Sequence, residues 1–197
     1  MKTTILALLL MSSPLLAQDV TFSGKVENGE GVCHDCPGFD FVLDYTHTSI
    51  SSATIDLKPF VGLYVKGEGH WNGSVTTPAL DVTSLTVVPQ SFSIGGGGSI
   101  GKTLKFTTFA SPGDLAFVMA STKDSFVPSP GVGILFLDPL HLSFLGSGFV
   151  GGGGEFTLKV DVPNDPALIG LSVFGQAGLF TGGALTTTNS DLKVISN

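Results

Sequence analysis

VPNDPALIGLSVFGQAGLF, Val162–Phe180, is the stretch on which the reading of the chain turns. It opens on a double-proline turn, Pro163 and Pro166 around Asn164 and Asp165. It continues as one long apolar segment with Gly170, Gly175 and Gly178 set into it. Proline cannot donate to a sheet ladder, so the turn marks where a strand begins. Beyond it Leu171, Val173, Ala177 and Leu179 fall on one face, and Ser172, Phe174 and Gln176 on the other. That is the two-residue period of a strand. We read it as the central strand of the C-terminal half.

Outward from this strand, short apolar runs recur between Gly and Pro breaks: Lys102–Phe109, Leu115–Ser121, Val132–Leu137, Leu140–Leu145, Glu155–Val162 and Asp191–Ile195. Seven or eight such runs predict a β-sandwich-like domain over residues 102–197. Asp114–Thr122, the best helical candidate, is more simply a buried strand behind Pro112-Gly113. Pro89–Gly101, PQSFSIGGGGSIG, has the composition of a flexible junction, so a linker is expected over residues 90–101. In the pattern VxVPxxPxLxGxxxxxQA, Val160–Ala177 resembles the closing segment of secreted β-domains from environmental bacteria, mostly of unassigned function. The resemblance implies a fold and export, with no catalytic residue to carry over.

In the N-terminal half, strands are predicted at Asp19–Glu27, Phe39–Tyr45, Thr54–Leu57, within Phe60–Trp71 and at Ala79–Val88. Val61, Leu63 and Val65 are expected to point inward, before the apolar alternation is lost at Gly67 and Gly69. The run DLKPFVGLYVKGEGHWNGSVTTPALDVTSL resembles the second half of an OB-type barrel, in which a VGxxVxVxGxW strand precedes a PxLxVxxI strand. The resemblance implies a small five-stranded OB-like barrel over residues 18–89, a fold that often binds ligands on one face framed by its loops. The overall expectation is therefore all-β: a barrel, then a sandwich, after a cleaved signal peptide over residues 1–17. Lys2, the apolar run Ile5–Met11 and Leu15-Leu16-Ala17 have the order of such a leader. The localisation expected is secreted, extracellular or periplasmic, and the apolar run is too short to insert in a membrane.

Without the leader the chain holds eight lysines against sixteen acids, a net charge of −8, and no arginine. Phosphate and nucleic-acid recognition lean on arginine and on basic patches, so a nucleic-acid partner is not expected. Gly96–Thr103, GGGSIGKT, nonetheless fits the phosphate-loop pattern. That loop needs a helix to begin at once with its N-terminus facing the anion. KTLKFTTF alternates as a strand instead, so a nucleotide partner is not expected either. Gly97–Gly101 fits the G-x-S-x-G nucleophile elbow, with Asp138 and His141 downstream, and lacks the same helix.

His70 and Trp71 stand before the Asn72-Gly73 turn. Read as a ligand site with His34, they suit a sugar ring; the competing reading has Trp71 capping the barrel core. Cys33-His34-Asp35-Cys36 holds both cysteines of the chain. A disulfide is favoured over a metal site recruiting His34, His47 or His70, as is usual in an exported protein. No cofactor, metal or catalytic residue is expected. The function expected is that of a secreted non-enzymatic binding or surface-associated structural protein, its partner an extracellular polysaccharide or another surface protein. The alternatives are a carbohydrate-binding protein using the Trp71 region and a metal-dependent or serine hydrolase. Intact-mass analysis with and without reduction before alkylation is expected to find Cys33 and Cys36 modified only after reduction; two native free thiols would remove the disulfide.

Overall fold

The computed structural model of the protein describes residues 18–29, 41–44, 46, 48–71 and 79–197. The leader, the cysteine loop with His34, His47 and the Asn72-Gly73 turn lie outside the described residues. Regular structure among the described residues is β-strand with single 3-10 turns, and includes no α-helix. The expected fold class is therefore the observed one.

Five strands close into a barrel: β1 (Gln18–Asn28), β2 (Phe41–Leu43), β3 (Ser49–Ser51), β4 (Tyr64–Trp71) and β5 (Ala79–Val87), in the order β1-β2-β3-β5-β4. The barrel is compatible with the OB-like one expected. Long β1 makes closure possible by serving two neighbours: Gln18–Lys25 pair with β4 and Val26–Asn28 with β2. β3 and β5 pair in parallel. Val20, Phe22 and Val26 of β1 point inward, as their alternation predicts.

In β4 the inward set is Val65, Gly67, Gly69 and Trp71, so the alternation continues through the glycines rather than ending there. Closure requires this. A Cβ on Gly67 would lie 2.8 Å from Phe22 Cζ and collide with the Ser84 carbonyl oxygen, and one on Gly69 would lie 2.7 Å from the Asp81 oxygen. Leu63, expected inside, is exposed in the turn before β4.

The strand expected at Thr54–Leu57 is absent, and β3 lies earlier. The Ser52 hydroxyl accepts from the backbone N–H of Ile55 at 3.1 Å and donates to the Val82 carbonyl at 2.6 Å. Asp56 then accepts from the Lys58 N–H at 3.1 Å, leading into the 3-10 turn Lys58–Phe60. Short polar side chains thus offer this backbone local bonds that compete with a ladder.

Residues 90–101 are not the flexible linker their composition suggests. They contain β6 (Phe92–Gly96), which pairs with β7 (Thr103–Phe109), itself paired with β12 (Glu155–Asp161). Phe92 and Ile94 are buried, and two apolar residues in the right register outweigh the glycine content around them. A four-stranded sheet, β11-β8-β13-β14, faces this three-stranded one: β11 (Ser143–Phe149), β8 (Leu115–Ser121), β13 (Ser172–Thr181) and β14 (Ala184–Val194). Between the sheets lie Phe92, Ile94, Leu104 and Phe106 from one side and Val118, Ala120 and Ala177 from the other. Full burial of a Phe or Val side chain contributes about 1.5–3 kcal/mol, so this layer is the main source of cohesion in the second half. β13 is an inner strand of its sheet, as read from the sequence.

The remaining hairpin, β9 (Asp124–Ser129) and β10 (Gly133–Leu137), belongs to neither sheet. Phe126, Ile134 and Phe136 join the barrel's own apolar cluster. On its other side the hairpin is held by Gln176, fully buried in β13. The Gln176 Oε1 accepts from the Phe136 N–H at 2.9 Å, and its Nε2 donates to the carbonyls of Ile134 and Thr188, each at 2.9 Å. Bonding the N–H and C=O of residues two apart, the amide takes the place of a residue in a neighbouring strand. Asn189, buried in β14, does the same for β6, accepting from the Phe92 N–H at 3.0 Å and donating to the Phe92 carbonyl at 2.9 Å.

Gln176→Leu leaves two buried carbonyls and one N–H without a partner, each costing about 1–3 kcal/mol. The variant is expected to lose roughly 3 kcal/mol or more in urea unfolding monitored by Trp71 fluorescence, which reports on the hairpin through Phe126. A loss below about 1 kcal/mol would show that the hairpin is held elsewhere.

Candidate functional site

Trp71 ends β4 with its side chain inside the barrel, 7% exposed and 5.7 Å from the Phe126 ring. Its indole N–H finds no hydrogen-bond partner among the described residues. The sugar-platform reading needs an open indole face, and here that face is used in packing, so Trp71 caps the core instead. His70 points the opposite way, as its place one residue earlier in the strand requires. It pairs with Asp19 directly across the β1–β4 ladder, on the outer wall of the barrel. The two residues read together from the sequence therefore lie on opposite faces of one strand. His34 is not described. Among the described residues no group of three or more His, Cys, Asp or Glu side chains could hold a metal ion.

The GGGSIGKT segment is a tight loop bound to the chain end. Gly98, at φ +64°, lies against the Lys193 side chain, the Ser196 N–H donates to the Gly98 carbonyl at 2.8 Å, and the Ile100 N–H donates to the Ser196 carbonyl at 3.0 Å. Strand β7 follows at Thr103, so no helix N-terminus stands where the pattern needs one. Ser99 shares a hydrogen bond with the Ser196 hydroxyl at 3.0 Å. His141 is engaged elsewhere, its Nδ1 2.6 Å from Asp138 Oδ2. Asp138 also accepts from the Leu140 N–H at 2.9 Å, and that bond, followed by the His141 contact, holds its carboxyl below the usual range. Asp138 and His141 thus form a four-residue turn motif, whereas Ser99 is engaged with Ser196.

One buried acid escaped the sequence reading. Asp44, in the left-handed region at φ 51°, lies between barrel and sandwich. Its Oδ1 accepts from the Lys25 N–H at 2.5 Å, while Oδ2 accepts from the N–H and hydroxyl of Ser190 in β14 at 3.1 and 3.0 Å. Burial pushes its carboxyl up to about 7, opposed by the bonds from Lys25 and Ser190, with the like charge of Asp191 raising it further. The other charged group nearby, the Lys25 ammonium, pairs with Glu27.

Among the described residues, exposed apolar side chains gather on the outer face of the four-stranded sheet. Opposed in register are Phe149, Leu115, Phe180 and Leu185, one from each strand, so a row of four apolar side chains crosses the whole sheet. The next positions along β11, β8 and β13 are Ser147, Phe117 and Gly178, then Phe144 beside Met119. Phe149 is 70% exposed, Phe144 59%, Phe180 45% and Leu185 37%. No charged residue occupies any of these positions. The same face continues to Gln176, Thr187 and Ser190, where the hairpin and Asp44 cover it. One apolar sheet face thus has a covered half and a bare half. Contiguous apolar surface of several hundred Å² is often functional. The strands carrying Leu115 and Phe180 were visible in the sequence; the register that aligns them with Phe149 and Leu185 was not.

Comparisons with protein-family models, with curated proteins and with solved structures give no match.

Asp44 holds its proton in the folded chain up to about pH 7, whereas an unfolded aspartate releases it near pH 4. The stability it contributes is therefore complete below about pH 4 and lost as pH rises toward 7. Asp44→Asn cannot accept at both positions and leaves one N–H unmet, a cost of about 2 kcal/mol at pH 4. The stability gap between wild type and variant, from denaturant unfolding at pH 4 to 8, is expected to narrow as pH rises. A gap that widens instead would reverse the assignment.

Proposed function

We propose that this is a secreted, non-enzymatic binding or surface-associated structural protein whose working surface is the bare half of the four-stranded sheet. The observation that carries the reading is the charge-free row Phe149–Leu115–Phe180–Leu185, in which Phe149, Phe180 and Leu185 are exposed. Folding a chain around such a surface costs solubility, and it is retained where a partner covers it. The separate engagement of Ser99, Asp138 and His141 supports the non-enzymatic side of the reading. No helix among the described residues is long and apolar enough to cross a membrane. The strand order β1-β2-β3-β5-β4, with β3 and β5 parallel, supports an OB-type barrel. In this reading the barrel acts as a support, its interior filled by Trp71 and by the hairpin residues Phe126 and Phe136. The leader-like residues 1–17 and the resemblance of Val160–Ala177 to exported β-domains support delivery outside the cytoplasm, with an extracellular or periplasmic address.

Fractionation of the native cells tests this reading. The chain is expected outside the cytoplasm, beginning at Gln18, in the surface-bound fraction, and a Phe149→Lys/Phe180→Lys variant is expected to shift into the soluble exported fraction. Cytoplasmic retention, or a surface partition unchanged by the double substitution, would overturn it.

A further inference from the structure

From the bare half of the sheet we infer that the protein self-associates, with the outer face of β11, β8, β13 and β14 packing on the same face of a second copy. The inference rests on the functional reading above and names the partner of that surface. Three observations select this occupant.

The first is area. With about 200 Å² for a whole phenylalanine and somewhat less for leucine and methionine, the side chains of the bare half present roughly 550 Å². Two copies laid face to face then remove roughly 1,100 Å² from water, just beyond the roughly 1,000 Å² that a specific interface needs.

The second is charge. The chain carries sixteen acids and nine lysines, so copies repel one another over most orientations. Lys105 and Lys159 sit opposite each other on the outer face of the three-stranded sheet, and Glu155 and Asp161 flank them on β12. The bare half of the four-stranded sheet carries no charge at all, so it is the face on which two copies meet without like-charge contact.

The third is shape and order. The row crosses four hydrogen-bonded strands in continuous register, interrupted by no loop, and Gly178 leaves a shallow gap beside Phe117. A pleated face of alternating large and small side chains is self-complementary under a two-fold axis, and sheets pack face to face about 10 Å apart. The hairpin and barrel already cover the other half of this face in the same chain. A second copy completes the coverage that the chain begins.

Sedimentation velocity of the full mature protein between about 1 and 300 μM tests the inference. The expected result is a monomer–dimer equilibrium with a dissociation constant of roughly micromolar order. Rising sodium chloride is expected to strengthen it by screening the acidic chains. Phe149→Lys and Phe180→Lys, both at exposed positions, are each expected to weaken dimerisation at least tenfold. Val87→Lys, equally exposed on barrel strand β5, is expected to leave it unchanged. Circular dichroism and a thermal midpoint near wild type confirm that each variant is folded. Should Phe180→Lys not fold, Phe149→Lys at the sheet edge carries the test alone. A protein that stays monomeric across the range overturns the inference, and so does a dimer that Phe149→Lys leaves intact. If the monomeric result accompanies a surface partition still abolished by the double substitution, the functional reading stands with a different partner. If the partition is also unaffected, both fall.

Discussion

The fully buried amide of Gln176 is the interaction on which the arrangement of the second half depends. A primary amide carries a donor and an acceptor in one plane, as a peptide unit does, so it can stand in for a strand residue where no strand reaches. Gln176 uses it to hold β10 through Ile134 and Phe136 while its second donor hydrogen reaches Thr188 in β14. Asn189 repeats the device toward β6 through Phe92. The two amides project in opposite directions because β14 is bulged here. Gln176 pairs with Ser190 and Gly178 with Thr187, so one extra residue stands on β14 between them. A bulge re-aims side chains. Here it lets one pair of strands bond a hairpin on one face and a second sheet on the other.

The barrel meets the sandwich through a polar contact at Asp44, supplemented by apolar contacts from the hairpin. Asp44 accepts hydrogen bonds from Lys25 within the barrel and from Ser190, 146 residues later in the chain. Its left-handed backbone is one that aspartate tolerates better than most residues, and it turns the carboxyl group into the junction. Burial of an acid is costly, and the three donors offset that cost in one geometry only, so the contact specifies orientation more than it adds stability. Phe126, Ile134 and Phe136 add the apolar part from the hairpin side. The surface left over by these contacts is the bare end of the four-stranded sheet. The candidate interface is thus a consequence of where the hairpin stops.

Local signals in the chain had uneven reach. Leu115–Ser121 was legible to the residue because a turn, Pro112-Gly113, precedes a short continuous apolar run. β14 was read from its last four residues, Asp191–Val194, alone, since Ala184–Ser190 is threonine-rich with little apolar contrast. β6 was hidden by the glycines after it, and β9 by Pro128, which sits in the strand opposite Ile134. Gly67 and Gly69 read as an interruption because a missing side chain looks the same at a tight interior position as in a loop. His70 and Trp71, adjacent in sequence, suggested one site; the strand period itself sends them to opposite faces.

By itself the sequence determined the all-β class, most strand positions and the non-helical setting of GGGSIGKT, because two-residue periodicity and turn chemistry act within a few residues. It also determined the acidic, arginine-free character of the chain. Only the tertiary structure decided the closure of the barrel, the insertion of the β9–β10 hairpin into the barrel core, the partners of Gln176, Asn189 and Asp44, and the row of Phe149, Leu115, Phe180 and Leu185. Each of these depends on register between strands far apart in the chain. A shift of one residue in any of them would send every side chain to the other face, so which apolar residues are core and which are surface is settled by pairing and not by composition.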